Sequence, residues 1–250
     1  MTYPPDEHVL RDLEIESWLE ALDHCGAELP VLPPVLDASG RVALGALLTL
    51  VDVACARVVF RAAAPNWIAT ADLSVTSGVR PRDGVVRAEG RLVRAGSKLM
   101  VVDVDLGPVG MATGTFVRIP REASLVEREL PSVGERTTME RSGPRLTQSL
   151  VERMGLRAAD GVAVLDRHDY VGNSFGTING GIMGFLVAAA AESAAGGVAA
   201  DVTLRYLGQT KVGPAQATAR VIRDGVCDVH VRDAGADGAI LARAIVTTTR

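Results

Sequence analysis

Two apolar stretches, each followed by alternating segments, dominate the pattern of hydrophobic and polar positions along the chain. Residues 44–60 and 181–195 are apolar on nearly all sides of a helical projection, which is typical of a helix enclosed by other structure. After each stretch, apolar and polar residues alternate with a period of two. This alternation predicts strands at residues 85–93, 99–106, 215–222 and 226–231.

The two halves of the chain also match each other in sequence. The segment ADLSV from Ala71 corresponds to ADVTL from Ala200, and RLVRAG from Arg91 corresponds to RVIRDG from Arg220. Each half therefore predicts an α+β unit in which one buried helix is wrapped by an antiparallel sheet, and two such sheets can join edge to edge.

The predicted domain organisation follows from this repeat. We expect a first repeat in residues 1–119, a polar connector in residues 120–145 and a second repeat in residues 146–250. The spacing of apolar residues predicts an amphipathic N-terminal helix over residues 6–25, which packs on the first sheet or covers a channel.

Composition and charge narrow the class of protein. The 250 residues are 48% hydrophobic and 22% charged, which is typical of a soluble globular protein. A net charge of −4 without a basic block argues against a nucleic-acid partner, and no apolar run approaches the roughly 20 residues of a membrane span. No signal peptide is recognisable, and the 3 cysteines and 4 histidines indicate neither a disulfide framework nor a metal site. We therefore expect a cytoplasmic protein without a bound metal.

The loop before the second apolar helix carries a recognisable motif. Residues 173–181 read NSFGTINGG, which includes Asn173, Asn179, Gly180 and Gly181. This segment resembles the N-x-x-G-x-x-H-G-G loop of hotdog-fold acyl-CoA thioesterases, most closely the phenylacetate-pathway and four-hydroxybenzoyl types, with Asn179 in place of the motif histidine. The resemblance covers residues 29–119 and 146–250. It implies a double hotdog, in which two fused copies mimic the usual dimer.

The resemblance also implies an active site that spans the two copies. In the family, one subunit gives the asparagine and the glycine loop, and the other gives a helix acid and a serine or threonine at the next strand. The second repeat keeps the loop but has Ala188 at the acid position and Ala199 at the hydroxyl position.

The first repeat shows the opposite losses. Its loop, residues 37–45, lacks the asparagine and one glycine, yet Asp52 stands at the acid position and Thr70 at the hydroxyl position. The surviving groups of the two repeats therefore predict one complete site per chain, built from Asp52 and Thr70 together with Asn173 and the Gly180 loop.

Thioester hydrolysis needs a polarised carbonyl and an activated water. The backbone amides of Gly180 and Gly181, before a helix, could stabilise an oxyanion, because glycine lets a substrate approach closely. Asp52 lies on an otherwise apolar helix, so burial should raise its pKa toward that of a general base, or it could attack the carbonyl directly. Asn173 would orient the water or the thioester, and Thr70 would bind the water or Asp52.

Asn179 has two interpretations, a substrate-binding group or an N-cap of the following helix, and the N-cap is favoured. Arg94, Lys98 and Arg223 lie near predicted hairpins, where coenzyme A phosphates often bind in the family. The implied substrate is an acyl-CoA or acyl-carrier thioester, with CoA as part of the substrate and no separate cofactor. Association of chains into a homo-oligomer is a further expectation from the family.

Two other functions remain open at the level of sequence. Residues 172–176 match G-x-S-x-G, the nucleophile elbow of α/β-hydrolases, which would make Ser174 the nucleophile of a serine esterase. The polar residues before it and the interruption by Gly180 oppose that reading. The second alternative is a non-catalytic acyl-CoA-binding hotdog module, because one set of catalytic groups has already been lost.

Overall fold

Thirteen strands and four helices make up the part of the chain that the computed structural model describes, residues 3–120 and 129–249. The helices are α1 (Val9–Asp12), α2 (Leu44–Ala63), α3 (Leu150–Arg153) and α4 (Met183–Ala195). The strands of the first half are β1 (Glu16–Ala21), β2 (His24–Pro30), β3 (Trp67–Ser77), β4 (Val85–Ala95), β5 (Leu99–Asp105), β6 (Gly110–Ile119) and β7 (Arg136–Thr138). Those of the second half are β8 (Arg157–Ala159), β9 (Val162–Leu165), β10 (Val198–Tyr206), β11 (Ala215–Arg223), β12 (Val226–Asp233) and β13 (Ala239–Thr249).

The strands form one continuous antiparallel sheet in the order β7-β1-β2-β4-β5-β6-β3-β10-β13-β12-β11-β9-β8. The two repeats meet where β3 pairs with β10, with Leu73 opposite Leu204 and Asp72 opposite Arg205. The predicted α+β architecture, two helix-wrapping sheets joined edge to edge, is confirmed. The four strands predicted from alternation correspond to β4, β5, β11 and β12, with ends that differ by no more than two residues.

The two long helices lie inside the sheet and pack against each other through glycines. A Cβ atom on Gly181 would lie 2.5 Å from Thr49 Cα, and one on Gly184 would lie 3.3 Å from Gly45 Cα. Since only residues without a side chain fit there, the loop before α4 is held against the first turns of α2. This contact brings the two halves of the predicted site together.

The predicted N-terminal helix over residues 6–25 is wrong. The helix α1 has four residues and ends before Glu14, whose φ of 50° is left-handed, and β1 and β2 then form a hairpin. The hairpin extends the first sheet because β2 pairs with the edge of β4. Trp18 and Leu19, which fit a helical stripe, are buried on this hairpin, whereas Leu22 is exposed, so tertiary pairing overrides the local periodicity.

The segment between the repeats contributes to the first sheet. Residues 121–128 of the expected connector lie outside the described residues, but β7 within it pairs with β1. The N-terminal segment in turn contacts the second repeat: His8 Nε2 lies 2.7 Å from the Gly172 carbonyl oxygen, and the Tyr170 hydroxyl donates to Asp12 Oδ2 at 2.6 Å.

The structure also decides the nucleophile-elbow alternative. An elbow serine lies on a sharp turn between a strand of a parallel sheet and a helix. Ser174 lies in a turn preceded by the short 3₁₀ segment Asp169–Val171, and all strands pair antiparallel. The serine esterase reading is therefore wrong for this fold.

Candidate active site at the junction of the two repeats

A cavity of about 310 Å³ lies between the two repeats. Its wall from the first repeat is mainly apolar and includes α2 and the start of β3. Its wall from the second repeat carries most of the amide and hydroxyl groups. The predicted site residues among its lining are Asp52, Thr70, Asn173, Asn179 and Gly180.

Asp52 is the central ionisable group of the cavity. Its Oδ1 accepts a hydrogen bond from the Thr70 hydroxyl at 2.9 Å, and its Oδ2 accepts one from the Gly181 backbone N–H at 3.2 Å. One partner comes from the first repeat and the other from the second. The carboxylate of α2 is thus fixed across the junction by groups that the sequence singled out.

The environment of Asp52 changes its acidity. Burial raises the pKa of Asp52 to about 6, while the hydrogen bonds from Thr70 and Gly181 oppose the rise. A carboxylate with that pKa is ionised at neutral pH and is a stronger proton acceptor than an exposed aspartate. Burial therefore gives this group the acidity that a general base requires.

The two glycines of the loop have different surroundings. A Cβ on Gly180 would lie 3.1 Å from Asp52 Oδ2 and 3.6 Å from Thr70 Oγ1, so this position borders the reacting groups. Gly181 instead faces the backbone of Thr49 on α2. Among the described residues, the Gly180 N–H has no hydrogen-bond acceptor, whereas the Gly181 N–H is already bound.

Asn179 stabilises the turn that leads into α4. Its Oδ1 accepts a hydrogen bond from the Gly181 N–H at 3.0 Å, and its backbone oxygen accepts one from the Met183 N–H at 3.3 Å. The side chain is 9% exposed. Asn179 thus caps the turn of residues 180–182, whereas α4 itself has Ile182 at its N-cap position and no side-chain cap. The interpretation of Asn179 as an N-cap therefore applies to the preceding turn and not to α4.

Asn173 closes its own loop. Its Oδ1 accepts hydrogen bonds from the N–H groups of Phe175 at 2.9 Å and Thr177 at 3.2 Å. At the corresponding place in the first repeat, Asp37 Oδ1 accepts from the N–H groups of Ser39 and Arg41 at 2.8 and 3.3 Å. The side-chain oxygen at this position therefore has a structural role in both repeats, and Asn173 also borders the cavity.

Tyr206 is a site residue that the sequence reasoning missed. Its hydroxyl donates to the Gly180 carbonyl oxygen at 2.6 Å, and the ring lines the cavity. This bond holds the peptide group between Gly180 and Gly181. It does not involve the Gly180 N–H. Comparison of the repeats could have found it, since Ser77 stands at the corresponding position of the first repeat.

Comparisons with known proteins agree with this architecture. Residues 171–249 match the family model described as the acyl-CoA thioesterase N-terminal domain. The chain resembles the 12:0-ACP thioesterase from Umbellularia californica, with a TM-score of 0.62 and 12% identity over 92% of this chain and 98% of that one. It also resembles an acyl-ACP thioesterase from Bacteroides thetaiotaomicron VPI-5482, with a TM-score of 0.59 and 12% identity over 90% and 98%. No curated protein matches the sequence.

The chain has the double-hotdog fold of these structures, and residues 171–249 match a thioesterase family model. The family match covers the second repeat, and the two structures show the double hotdog over nearly the whole chain. The family model and both structures are described as thioesterases.

The double hotdog has a second, pseudo-equivalent junction that lacks these groups. Ala188 and Ala199 stand where the first junction has its acid and hydroxyl. Arg80, 6% exposed, occupies this region, where it forms an ion pair with Asp37 at 2.9 Å and donates to the Val42 oxygen at 3.0 Å. The loop of the first repeat at this second junction therefore carries a buried ion pair.

The three basic residues that the thioesterase resemblance suggested for CoA phosphates lie elsewhere. Arg94 and Arg223 are at the ends of β4 and β11, and Lys98 is in the turn before β5; all three are exposed. None of them lines the cavity. The structure does not bring them to the residues around Asp52, so their role stays a prediction.

The described residues form neither a metal-binding cluster nor a membrane-spanning helix. Residues 3–120 and 129–249 contain no group of three or more His, Cys, Asp or Glu side chains placed to hold a metal ion. None of the described helices is long and apolar enough to cross a membrane.

Proposed function

We propose that this double hotdog hydrolyses an acyl-CoA or acyl-carrier thioester at one composite site, with Asp52 as general base. One observation carries the proposal: the Asp52 carboxylate, held by groups from both repeats, borders the cavity beside Gly180, whose N–H lacks an acceptor among the described residues. A base and an oxyanion donor side by side are what acyl transfer to water requires.

The reaction balances with these groups alone. Asp52 accepts a proton from water while the water oxygen forms a bond to the thioester carbonyl carbon. The carbonyl oxygen becomes an oxyanion, which the Gly180 N–H stabilises near the positive end of the α4 dipole. When the oxyanion collapses, the C–S bond breaks, and the proton held by Asp52 passes to the departing thiolate. The products are a free acid and a thiol.

The neighbouring residues have supporting roles in this proposal. Thr70 orients the Asp52 carboxylate, and Asn179 and Gly181 shape the turn that presents Gly180. Asn173 keeps the loop closed through its side-chain oxygen, and its amide nitrogen has no hydrogen-bond partner among the described residues. This nitrogen would orient water or the thioester. Direct attack by Asp52 would instead form a mixed anhydride. Appearance of ¹⁸O in Asp52 after a single turnover in H₂¹⁸O would replace the base role with this nucleophilic one.

The remaining features of the proposal concern the setting of the enzyme. CoA enters as part of the substrate, and no cofactor is required. A cytoplasmic location fits the three free cysteines, all of them buried. The acyl-ACP thioesterases that share the fold support a carrier-protein thioester as the counterpart of the CoA substrate. Association into a homo-oligomer is part of the same expectation and is measurable by light scattering.

Thiol release from a panel of acyl-CoAs tests the proposal. We expect hydrolysis by the wild type and a loss of 10²-fold or more in Asp52→Asn, the usual contribution of a general base. Ser174→Ala is the matched control in the same cavity, and it should keep its rate within a few-fold. Tight binding of acyl-CoA without thiol release from any chain would instead identify a non-catalytic binding module.

A further inference from the structure

One charged side chain stands in the apolar wall of the cavity without a use in the proposed chemistry. Arg57 lies on α2, five residues after Asp52, and it lines the same cavity. Its neighbours along that wall include Ala56, Phe60 and Ile68. A guanidinium in such a wall has to be explained, because burial of a charge is costly unless the charge is paired.

The bonds of Arg57 leave its charge without a close counter-ion. One of its terminal nitrogens donates to the Ser17 carbonyl oxygen at 3.0 Å, and its Nε is buried without a hydrogen-bond partner. No carboxylate among the described residues lies within ion-pair distance of it. Glu135 attracts it from farther away, but burial is the larger effect and lowers the pKa of Arg57. Arg57 is thus a partly buried cation whose Nε has no hydrogen-bond partner among the described residues.

The division of the cavity indicates which part of a substrate would meet Arg57. Amide and hydroxyl groups from the second repeat, such as Asn173, Gln209 and Thr210, suit the amide-rich arm that carries the thiol. The first repeat supplies the apolar wall that suits an acyl chain, and Arg57 belongs to that wall. Glu129 also borders the cavity but is exposed.

We propose that Arg57 selects acyl groups that end in a carboxylate, so that the preferred substrate is the thioester of a dicarboxylic acid. This inference rests on the proposed thioester hydrolysis and adds the substrate class. A planar guanidinium binds a carboxylate in a fixed geometry, and a substrate carboxylate would give this partly buried cation a close counter-ion. Asp52 and Arg57 are five residues apart, about 7.5 Å along the axis of α2. We therefore choose an acyl chain of six carbon atoms for the test.

A pair of isosteric substrates tests this selection. Adipoyl-CoA ends in a carboxylate, and 6-methylheptanoyl-CoA has the same shape with an isopropyl group in its place. We expect the wild type to favour adipoyl-CoA in kcat/KM by on the order of tenfold. Arg57→Gln, which can still donate to Ser17, should abolish the preference, and Arg57→Lys should retain part of it. Arg61→Gln is the matched control, an arginine one turn further along α2 that does not line the cavity and should leave the preference intact.

Either of two results would overturn the proposed selection of carboxylate-ended acyl groups by Arg57. If Arg57→Gln lowers kcat/KM for both substrates alike, or if the wild type prefers the isopropyl substrate, Arg57 is a structural residue and the inference is wrong, while thioester hydrolysis stands.

Binding separates this inference from the proposed function. Calorimetric titration of Asp52→Asn with both CoA thioesters should show tighter binding of adipoyl-CoA, lost in the double variant with Arg57→Gln. If the wild type hydrolyses neither thioester but this binding difference is observed, the proposed hydrolysis fails and the carboxylate site is supported. Equal binding of the two thioesters overturns the carboxylate site.

Discussion

Replacement of Asp52 by asparagine should stabilise the protein at neutral pH while it removes activity. Asparagine keeps the shape of the side chain but carries no charge to desolvate. Its Oδ1 can accept the Gly181 N–H, and its amide can donate to the Thr70 hydroxyl, so both present contacts have a replacement. The change therefore isolates the cost of holding a carboxylate at this place.

The magnitude follows from the pKa of Asp52. An aspartate has a pKa of about 3.9 when unfolded and about 6 here, which corresponds to about 3 kcal/mol of unfolding free energy when the group is fully ionised in both states. Since the folded state binds the proton more tightly, the cost is absent below about pH 4, grows as the pH rises, and is complete above about pH 7.

Urea unfolding of wild type and Asp52→Asn at pH 8 and pH 4.5, followed by tryptophan fluorescence, measures this cost. Asparagine does not titrate, so the stability of Asp52→Asn relative to wild type should be about 2 kcal/mol greater at pH 8 than at pH 4.5. Asp103→Asn, at an exposed aspartate of β5, controls for the loss of a surface charge. A difference between wild type and Asp52→Asn that is the same at both pH values would refute the claim that burial raises this pKa.

Three further predictions concern the rate. The kcat/KM of the wild type should fall as the pH drops through about 6, because protonated Asp52 cannot accept a proton, and Thr70→Val should move that limb to higher pH because it removes a hydrogen bond that lowers the Asp52 pKa. Gly180→Ala should reduce kcat on the order of tenfold or more with little change in Tm. Gly181→Ala should lower the unfolding free energy by about 1–3 kcal/mol, because its Cβ would meet the backbone of α2. Kinetics and thermal melts of both variants separate the two effects. Tyr206→Phe removes the bond to the Gly180 oxygen and should lower kcat on the order of tenfold at unchanged KM, and an unaltered kcat would show that the peptide needs no such support.

The parts of the fold that the sequence predicted are those in which local pattern and tertiary environment agree. A helix that is apolar all round has to be enclosed, and the strands after it alternate because one face packs on that helix. The match between the halves then required two similar units, and the pairing of β3 with β10 joined them. In these regions each residue has the same environment in both repeats, so the sequence carries the signal twice.

The N-terminal region has a structural counterpart, because α1, β1 and β2 correspond to α3, β8 and β9 of the second repeat, but the sequence match found between the halves did not extend to it. Residues 16–21 have apolar positions that fit a helix or a strand. They form a strand because they pair with β2, which itself pairs with the open edge of β4. An unpaired edge is satisfied by whichever segment reaches it, and local propensity does not reveal that. Nothing in the first repeat's own pattern indicated that an edge was open.

Comparison of the two repeats identified some residues of the candidate site and missed others. Asp52 and Thr70 stood out because the second repeat has alanine at both places. Asn173 stood out because it matches the loop motif and the first repeat has Asp37 in its place, although the oxygens of both side chains accept the same kind of loop hydrogen bonds. Tyr206 went unnoticed because a tyrosine at the end of a strand has no chemical signature until its hydroxyl is seen on the Gly180 oxygen.

In the proposed function, one fused chain has a single site, and the two junctions differ accordingly. At the altered junction the loop aspartate Asp37 holds the buried Arg80 guanidinium, and removal of either partner would leave an uncompensated charge. Gln209 stands at the corresponding position of the other repeat, where it borders the cavity and carries no charge. The ion pair therefore ties Arg80 to one loop, whereas the uncharged Gln209 of the other repeat borders the cavity. Two identical subunits could not divide these tasks, because every residue of an identical copy has to serve both junctions, whereas the fused repeats let one junction carry stability and the other the costly carboxylate of Asp52.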